Sequence, residues 1–190
     1  NITHVNNLID PISDSDVIET ELILSDLEML EKISSGIQKL VKKGDKDTLK
    51  KAQYIDQVIS HLSSGMAARS IENISEIKTY LNEYNLITLK PVIYVCNVDE
   101  NSIIDGNKHS ENFKKHIKSN IILISADIES QIATLSDEEQ SDFLSSLGLE
   151  ESGLNKIIKE GYNTLNLITY FTSGEMESRA WTIEKNTLAP

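Results

Sequence analysis

Two polar stretches in the sequence each follow a short apolar run, and they are the strongest candidates for chemistry. Asn97-Val98-Asp99-Glu100 follows the run 89–96, and Ser125-Ala126 follows the run 121–124. If both runs are strands of one parallel sheet, these stretches lie at carboxyl ends, where ligands bind in open α/β sheets. An asparagine amide there can donate to a purine N7 and accept from the N6 amine of adenine, and backbone N–H groups at Ser125-Ala126 can form a second wall. The competing interpretation, in which Asn97 and Asp99 are turn residues and Ser125 is a helix cap, stays open on spacing alone.

Lysines concentrate in one short segment of an otherwise acidic chain. Six lysines and two aspartates lie between Lys39 and Lys51, whereas the 190 residues together hold 30 acids and 18 bases and carry a net charge of −12. The overall charge argues against a broad polybasic nucleic-acid binder or a membrane-surface protein. The segment is the one plausible surface for phosphate contacts, and a solvated loop is the competing interpretation, which the sequence alone slightly favours. The candidate contacts are Lys42, Lys43, Lys46, Lys50 and Lys51.

Other catalytic motifs do not occur in the sequence. The histidines neither cluster nor fall at zinc-binding spacing, and no Gly-x-Ser-x-Gly nucleophile motif is present. Cys96, the single cysteine, ends an apolar run, as is typical of an inert buried thiol, and it excludes an intramolecular disulfide framework. No Gly-x4-Gly-Lys-Ser/Thr or Gly-x-Gly-x-x-Gly loop is present to cradle phosphates.

Two amphipathic helices precede these motifs. After a turn at Asp10-Pro11, with N-cap oxygens expected from residues 13–15, apolar residues recur at helical spacing as far as Val41. A tight reversal at 42–46 and a second stripe over 49–62 complete a helical hairpin with a basic tip.

The rest of the chain alternates between helical and strand patterns, which predicts an α/β unit with parallel strands. The predicted elements are a helix over 70–84, a strand over 89–96, a short helix over 113–118, a strand over 121–124, a helix from the capping box of Ser136 and Glu139 to Leu147, a helix over 154–162, and strand and loop over 167–183. Hydrophobic residues make up 39% of the chain, which is enough for a buried core.

Several features concern the setting of the chain. No run of 18 apolar residues and no secretion leader is visible, which predicts a cytoplasmic protein without a membrane contact. The sequence starts at Asn1 and stops at Pro190 in mid-pattern, and we interpret it as a piece of a longer protein.

Stretches along the whole chain match a known family. They are ITHV at 2–5 with Asp10-Pro11, ELILSDLE at 21–28, LKPVIYVCNVDE at 89–100, GLEESGL at 148–154, YFTSG at 170–174 and RAWTI at 179–183. With these motifs the sequence resembles the YchF subfamily of Obg-related P-loop NTPases.

The resemblance implies an α/β fold: part of a P-loop NTPase-type G domain with an inserted antiparallel helical hairpin, followed by the start of a β-grasp TGS domain. The implied domains are a G-domain segment at 1–14, the hairpin insert at 15–68, the C-terminal part of the G domain at 69–166 and a truncated TGS domain at 167–190. The phosphate-binding loop and the ligands of Mg²⁺ would precede Asn1, so the resemblance assigns no catalytic residue to this chain.

The resemblance also implies a base preference and partners. Related GTPases use Asn-Lys-x-Asp, whose final acid takes two hydrogen bonds from guanine. Here valine replaces lysine and the acid is one methylene longer, which favours ATP, with GTP as an alternative. Asn97 and Val98 are implied adenine contacts, Glu100 is the acid of the motif, and Ser125 and Ala126 match the second base-side motif. A ribosome or RNA partner is implied, without DNA sequence recognition, in a ribosome- or stress-linked switch. The competing hypothesis is a non-enzymatic module that binds RNA or protein through the hairpin.

Overall fold

The computed structural model describes residues 9–41 and 45–188, and contacts divide the chain into two compact units. A helical unit contains residues 10–91, and an α/β unit contains residues 92–188. Two predicted features lie outside the described residues. They are the motif at 2–5 and most of the reversal at 42–46, including Lys42, Lys43 and Gly44. No helix in the described ranges is both long and apolar enough to cross a membrane.

The helical unit is built on a hairpin of two helices. Helix α1 spans Pro11–Val41 and helix α2 spans Lys46–Ser63, and they run antiparallel with a side-chain hydrogen bond from Ser34 to Asp56 of 3.1 Å. Leucine, isoleucine and valine side chains at helical spacing form the core between them, as the apolar stripes predict. Its most buried members are Leu30, Ile55, Val58 and Leu62.

The first helix begins earlier than the sequence indicates. Its N-cap oxygen comes from Asp10, whose carboxylate accepts the Ser13 N–H at 3.2 Å, and not from residues 13–15, which already lie inside the helix. Proline fits the first turn because its fixed φ is helical and its missing N–H would be unpaired there in any case.

The segment after the hairpin packs back onto it. Helix α3 spans Ile74–Leu81, and three single 3-10 turns cover Ala68–Ser70, Asn82–Tyr84 and Ile87–Leu89. The last turn occupies the start of the predicted strand 89–96. The strand prediction was therefore wrong for residues 89–93: residue 89 lies in the 3-10 turn, and the strand begins only at Tyr94.

The α/β unit has a short parallel pair of strands at its centre. Strand β1 spans Tyr94–Asn97 and strand β2 spans Ile121–Ile124, and the parallel register pairs Tyr94 with Ile121 and Asn97 with Ile124. Four helices flank the pair: α4 (Lys108–Ile117), α5 (Ala126–Ile132), α6 (Asp137–Ser146) and α7 (Gly153–Thr164). The core of this unit is formed by Val98, Ile103, Ile128 and Ile132.

A hairpin of two strands follows α7. Strand β3 spans Leu167–Ser173 and strand β4 spans Ser178–Glu184, and they pair antiparallel with Tyr170 opposite Trp181. The Trp181 indole N–H donates to the Thr172 hydroxyl at 2.8 Å. The prediction of strand and loop over 167–183 is confirmed, whereas its assignment to the start of a TGS domain stays a prediction.

Candidate nucleobase site

The parallel strands bring the two polar stretches of the sequence together. Asn97 is the last residue of β1, and Ile124, its register partner, is the last residue of β2. The pairing continues one step further, since the Val98 N–H donates to the Ile124 carbonyl at 2.8 Å. Both stretches therefore leave the sheet at the same carboxyl edge.

A side-chain hydrogen bond joins the two stretches directly. The Asn97 Oδ1 accepts the backbone N–H of Ala126 at 2.9 Å, and both residues are exposed. This contact spans 29 residues of sequence. It places an amide side chain and the first residue of α5 side by side at the surface.

Val98 and Ser125, the two buried residues of these stretches, have packing and capping roles. Val98 is buried in the core, so its side chain contacts Ile103 and Ile128 rather than the surface. Ser125 is 1% exposed, and its hydroxyl caps α5 by accepting the Ile128 N–H at 3.4 Å. The helix-cap interpretation of Ser125 is therefore correct for its side chain.

The two acids of the first stretch have different partners. The Asp99 carboxylate accepts from the Ser102 hydroxyl at 3.0 and 3.1 Å, which ties it to the 3-10 turn of Glu100–Ser102. The Glu100 carboxylate instead accepts from the Gln131 side-chain amide of α5 at 2.9 Å. Gln131 was not predicted as a site residue, because its contact with Glu100, 31 residues earlier in the chain, arises only in the folded structure.

The Cys96 thiol is half-buried on the penultimate residue of β1. Partial burial raises the pKa of the Cys96 thiol above its usual value, so the group stays protonated at neutral pH. A protonated thiol is a poor nucleophile, in agreement with the expectation of an inert side chain.

The candidate polyanion contacts differ from one another. Lys46 is exposed at the first residue of α2. Lys50 forms an ion pair with Glu76 and lies 5.5 Å from the Tyr80 ring centroid. The hydrogen bond from Lys50 lowers the pKa of the Glu76 carboxyl.

Lys51 is bound in the same manner. It forms an ion pair with Glu83 and lies 4.9 Å from the Tyr84 ring centroid. A phosphate would therefore compete with a carboxylate and an aromatic ring for Lys50 and for Lys51.

The acidic, histidine and cysteine side chains are the possible ligands for a metal ion. Among the residues whose placement is described, no group of three His, Cys, Asp or Glu side chains is arranged to hold a metal ion. The acids near the strand ends, Asp99 and Glu100, are held by Ser102 and Gln131 instead. These residues do not fit a Mg²⁺ site.

Several known proteins are similar to the chain over its whole length. No protein-family model matches the chain. The ribosome-binding ATPase YchF of Bacillus subtilis is 40% identical over 195 residues, and that of Escherichia coli O157:H7 is 37% identical over 193 residues; each alignment covers 100% of this chain and 53% of the relative. A solved structure, the YchF GTPase of Schizosaccharomyces pombe, matches with a TM-score of 0.86 at 33% identity, again over 100% of this chain and 53% of the other.

The class is thus an α/β protein with the fold of the matching part of a YchF structure. By sequence and by fold together, the chain is similar over its whole length to proteins named YchF. It spans about half the length of the curated relatives it matches.

Proposed function

We propose that this chain carries the base-contacting part of a nucleotide site in a protein that binds and hydrolyses ATP. The observation that carries the proposal is the 2.9 Å hydrogen bond from the Ala126 N–H to Asn97 Oδ1 at the carboxyl edge of two parallel strands. That edge is where open α/β sheets bind ligands. The names of the relatives, a ribosome-binding ATPase in bacteria and a GTPase in yeast, support a nucleotide hydrolase.

The Asn97–Ala126 contact also supports a choice of base. Guanine carries an acceptor, O6, at the position where adenine carries a donor, the N6 amine. A bare Ala126 N–H would suit guanine O6, but here Asn97 Oδ1 already accepts that N–H. An amide oxygen has a second lone pair, so the same Oδ1 can also accept from the adenine N6 amine. The pair therefore offers an acceptor to the base, and an acceptor favours adenine.

The placement of Glu100 supports the same choice. In the Asn-Lys-x-Asp motif of related GTPases the final carboxylate accepts two hydrogen bonds from guanine. In this chain that acid is Glu100, and its Oε1 accepts from Gln131 at 2.9 Å. A carboxylate occupied by a protein donor is less available to guanine, so GTP is the weaker ligand in this proposal. Val98 and Ser125 stabilise the site in this proposal: Val98 packs in the core, and the Ser125 hydroxyl caps α5.

The hydrolysis step belongs to the whole protein in this proposal. In phosphoryl transfer, Mg²⁺ neutralises charge that develops on the phosphates. The described residues supply contacts to the base and not to the phosphates. Mg²⁺ enters only as the companion ion of the nucleotide, as the names ATPase and GTPase imply.

Ribosome association is the second part of the proposal, and it implies a cytoplasmic protein that acts as a ribosome- or stress-linked switch. It is supported by the names of the bacterial relatives. The basic tip of the hairpin, Lys42, Lys43 and Lys46, is the proposed contact with ribosomal phosphates. Lys50 and Lys51 contribute less, because each is engaged by an acid and an aromatic ring.

The base site is tested by removing the Asn97 amide. Asn97→Ala deletes the acceptor proposed for adenine and leaves the Ala126 N–H without its partner, so we expect the Kd for ATP to rise about tenfold or more. The measurement is a titration with a fluorescent ATP analogue and Mg²⁺, using protein from the complete reading frame. Asn101→Ala is the matched control, because Asn101 is exposed in the neighbouring turn. Equal affinities for both variants and the unmodified protein would contradict the base site.

A further inference from the structure

The first turn of α7 is held by an acid from another helix. Glu129 of α5 accepts the Gly153 N–H at 2.6 Å through Oε1 and the Leu154 N–H at 3.3 Å through Oε2. Ser152 caps the next free amide, since its hydroxyl accepts the Asn155 N–H at 3.2 Å. A carboxylate at a helix N-terminus is favoured by the unpaired N–H groups and by the helix dipole. Glu129 therefore fastens α5 to α7.

Gly153 allows the close approach of α7 to β2 and to the Glu129 side chain. A Cβ atom at this position would lie 2.6 Å from Ile124 Cγ2 and 2.9 Å from Glu129 Oε1. Ile124 is β-branched and lies in β2, so it has little freedom to move aside. Glycine is required here for space, because its φ does not lie in the left-handed region.

Both contacts border the second wall of the candidate nucleobase site. Ile124 directly precedes Ser125, and Glu129 lies three residues after Ala126, one turn along the same helix. Ser125 and Ala126 therefore lie between two residues that contact the first turn of α7: Ile124, which packs on Gly153, and Glu129, which accepts its N–H. A shift of α5 along this contact would move the Ala126 N–H away from Asn97 Oδ1.

We propose that Glu129 is a positioning residue for the nucleobase site: by binding the start of α7 it fixes the Ala126 N–H against Asn97. The proposal deepens the proposed function and rests on it for the nucleotide. Glu129 acts through Ala126 and Asn97 in this account. If Glu129 had a purely structural role, it would stabilise the fold as a whole. In a positioning role it affects the Ala126 N–H and the binding of adenine.

The first test needs no nucleotide. Amide hydrogen exchange of Ala126 reports local opening of its hydrogen bond to Asn97. We expect Glu129→Ala to speed exchange at Ala126 about tenfold, because a charge-assisted pair of bonds is lost, and Glu129→Gln to restore part of the protection. Glu151→Ala is the matched control, since Glu151 precedes the same helix but pairs with Lys159 at 2.6 Å. Unchanged exchange at Ala126, or equal acceleration at all core amides of the unit, would overturn the proposal.

The second test uses the nucleotide. In Glu129→Ala we expect the KM for ATP to rise about tenfold with kcat nearly unchanged, because the base contact is displaced while the phosphates are bound elsewhere. A loss of kcat with an unchanged KM would overturn the proposal. If the unmodified protein binds no nucleotide, the proposed function fails, and the exchange experiment still decides whether Glu129 positions Ala126.

A glycine pair gives an independent check. Gly153→Ala places a methyl group against Ile124, so we expect faster exchange at Ala126 and weaker ATP binding, in parallel with Glu129→Ala. Gly161→Ala is the control on the same helix, because nothing lies within 4 Å of its added Cβ and alanine favours a helix. Identical behaviour of the two glycine variants would contradict the close-packing argument.

Discussion

At the scale of single residues, the contact between Glu100 and Gln131 bears on the choice of base as much as the identity of Glu100 does. Glu100 has the position that the resemblance assigns to a guanine-reading carboxylate, yet its Oε1 accepts from Gln131. The two residues are 31 positions apart, and both are exposed. Nothing in the local pattern around Gln131 distinguishes it from a solvated glutamine, so the sequence alone could not indicate this contact.

The contact leads to a prediction about base discrimination. Gln131→Leu removes the donor and leaves the Glu100 carboxylate available to the N1–H and N2 amine of guanine. We expect the affinity for GTP relative to ATP to rise about threefold, because one exposed hydrogen bond contributes little net free energy. The measurement is the ratio of the two dissociation constants. Gln140→Leu is the control, because Gln140 lies in α6 and its side-chain amide donates to the Leu135 carbonyl at 3.1 Å. An unchanged ratio would show that Gln131 has no part in selectivity.

Other residue-level interpretations followed from local chemistry. The capping box of Ser136 and Glu139 is present, with the Ser136 N–H 2.9 Å from Glu139 Oε2. Ser152 caps the next helix, as the sequence indicates. These contacts span three residues, so local pattern is sufficient to predict them. Asn97 and Ala126 became a pair only through the register of β1 and β2. The alternation of helical and strand patterns predicted that the strands are parallel, but it did not predict their register.

At the scale of elements, one buried acid explains why the predicted strand 89–96 fails at its first residue. The Asp26 side chain of α1 is 1% exposed, and it accepts the Ile87 N–H at 3.0 Å, the Thr88 N–H at 2.7 Å and the Thr88 hydroxyl at 2.6 Å. These bonds hold the 3-10 turn of Ile87–Leu89. The apolar, proline-containing run 89–96 resembles a strand throughout, but a carboxylate more than 60 residues earlier in the chain holds its first residue in a turn.

The same acid gives a stability prediction for the helical unit. Asp26→Ala leaves the two buried donors of Thr88 and the part-buried Ile87 N–H without their acceptor, so we expect the free energy of unfolding to fall by about 3 kcal/mol. The measurement is urea unfolding followed by circular dichroism. Glu28→Ala removes an acid two residues away that forms an exposed ion pair with Lys32, and there we expect an unchanged urea midpoint. Equal midpoints for the two variants would refute the account of Asp26.

Helix α5 was not predicted as an element, although it carries much of the candidate site. It has only seven residues, which is too short for a convincing periodic pattern. A signal was present, because Ser125 caps it and the buried pair Ile128 and Ile132 are four residues apart. Helix α4 likewise begins at Lys108, five residues before the predicted start, with a capping box at Asn107 and Ser110.

At the scale of the whole molecule, contacts within each compact unit show which segments pack together. Residues 69–91 lie in the compact unit of the helical hairpin. Contacts with α1 explain this, since Arg69 forms an ion pair with Glu19 and Asp26 binds the turn at Ile87–Leu89. Long-range polar contacts of this kind leave no pattern in the sequence. The boundaries of the G domain and of the TGS domain stay predictions.

The central claim, that Asn97 and Ala126 form an adenine-favouring site, is tested most directly by one paired titration. Protein from the complete reading frame is titrated with fluorescent analogues of ATP and of GTP, each with Mg²⁺ and at the same ionic strength. The Asn97 acceptor and the occupied Glu100 carboxylate predict that ATP binds at least about tenfold more tightly than GTP. GTP binding as tight as ATP binding, or tighter, would contradict the account of the base site.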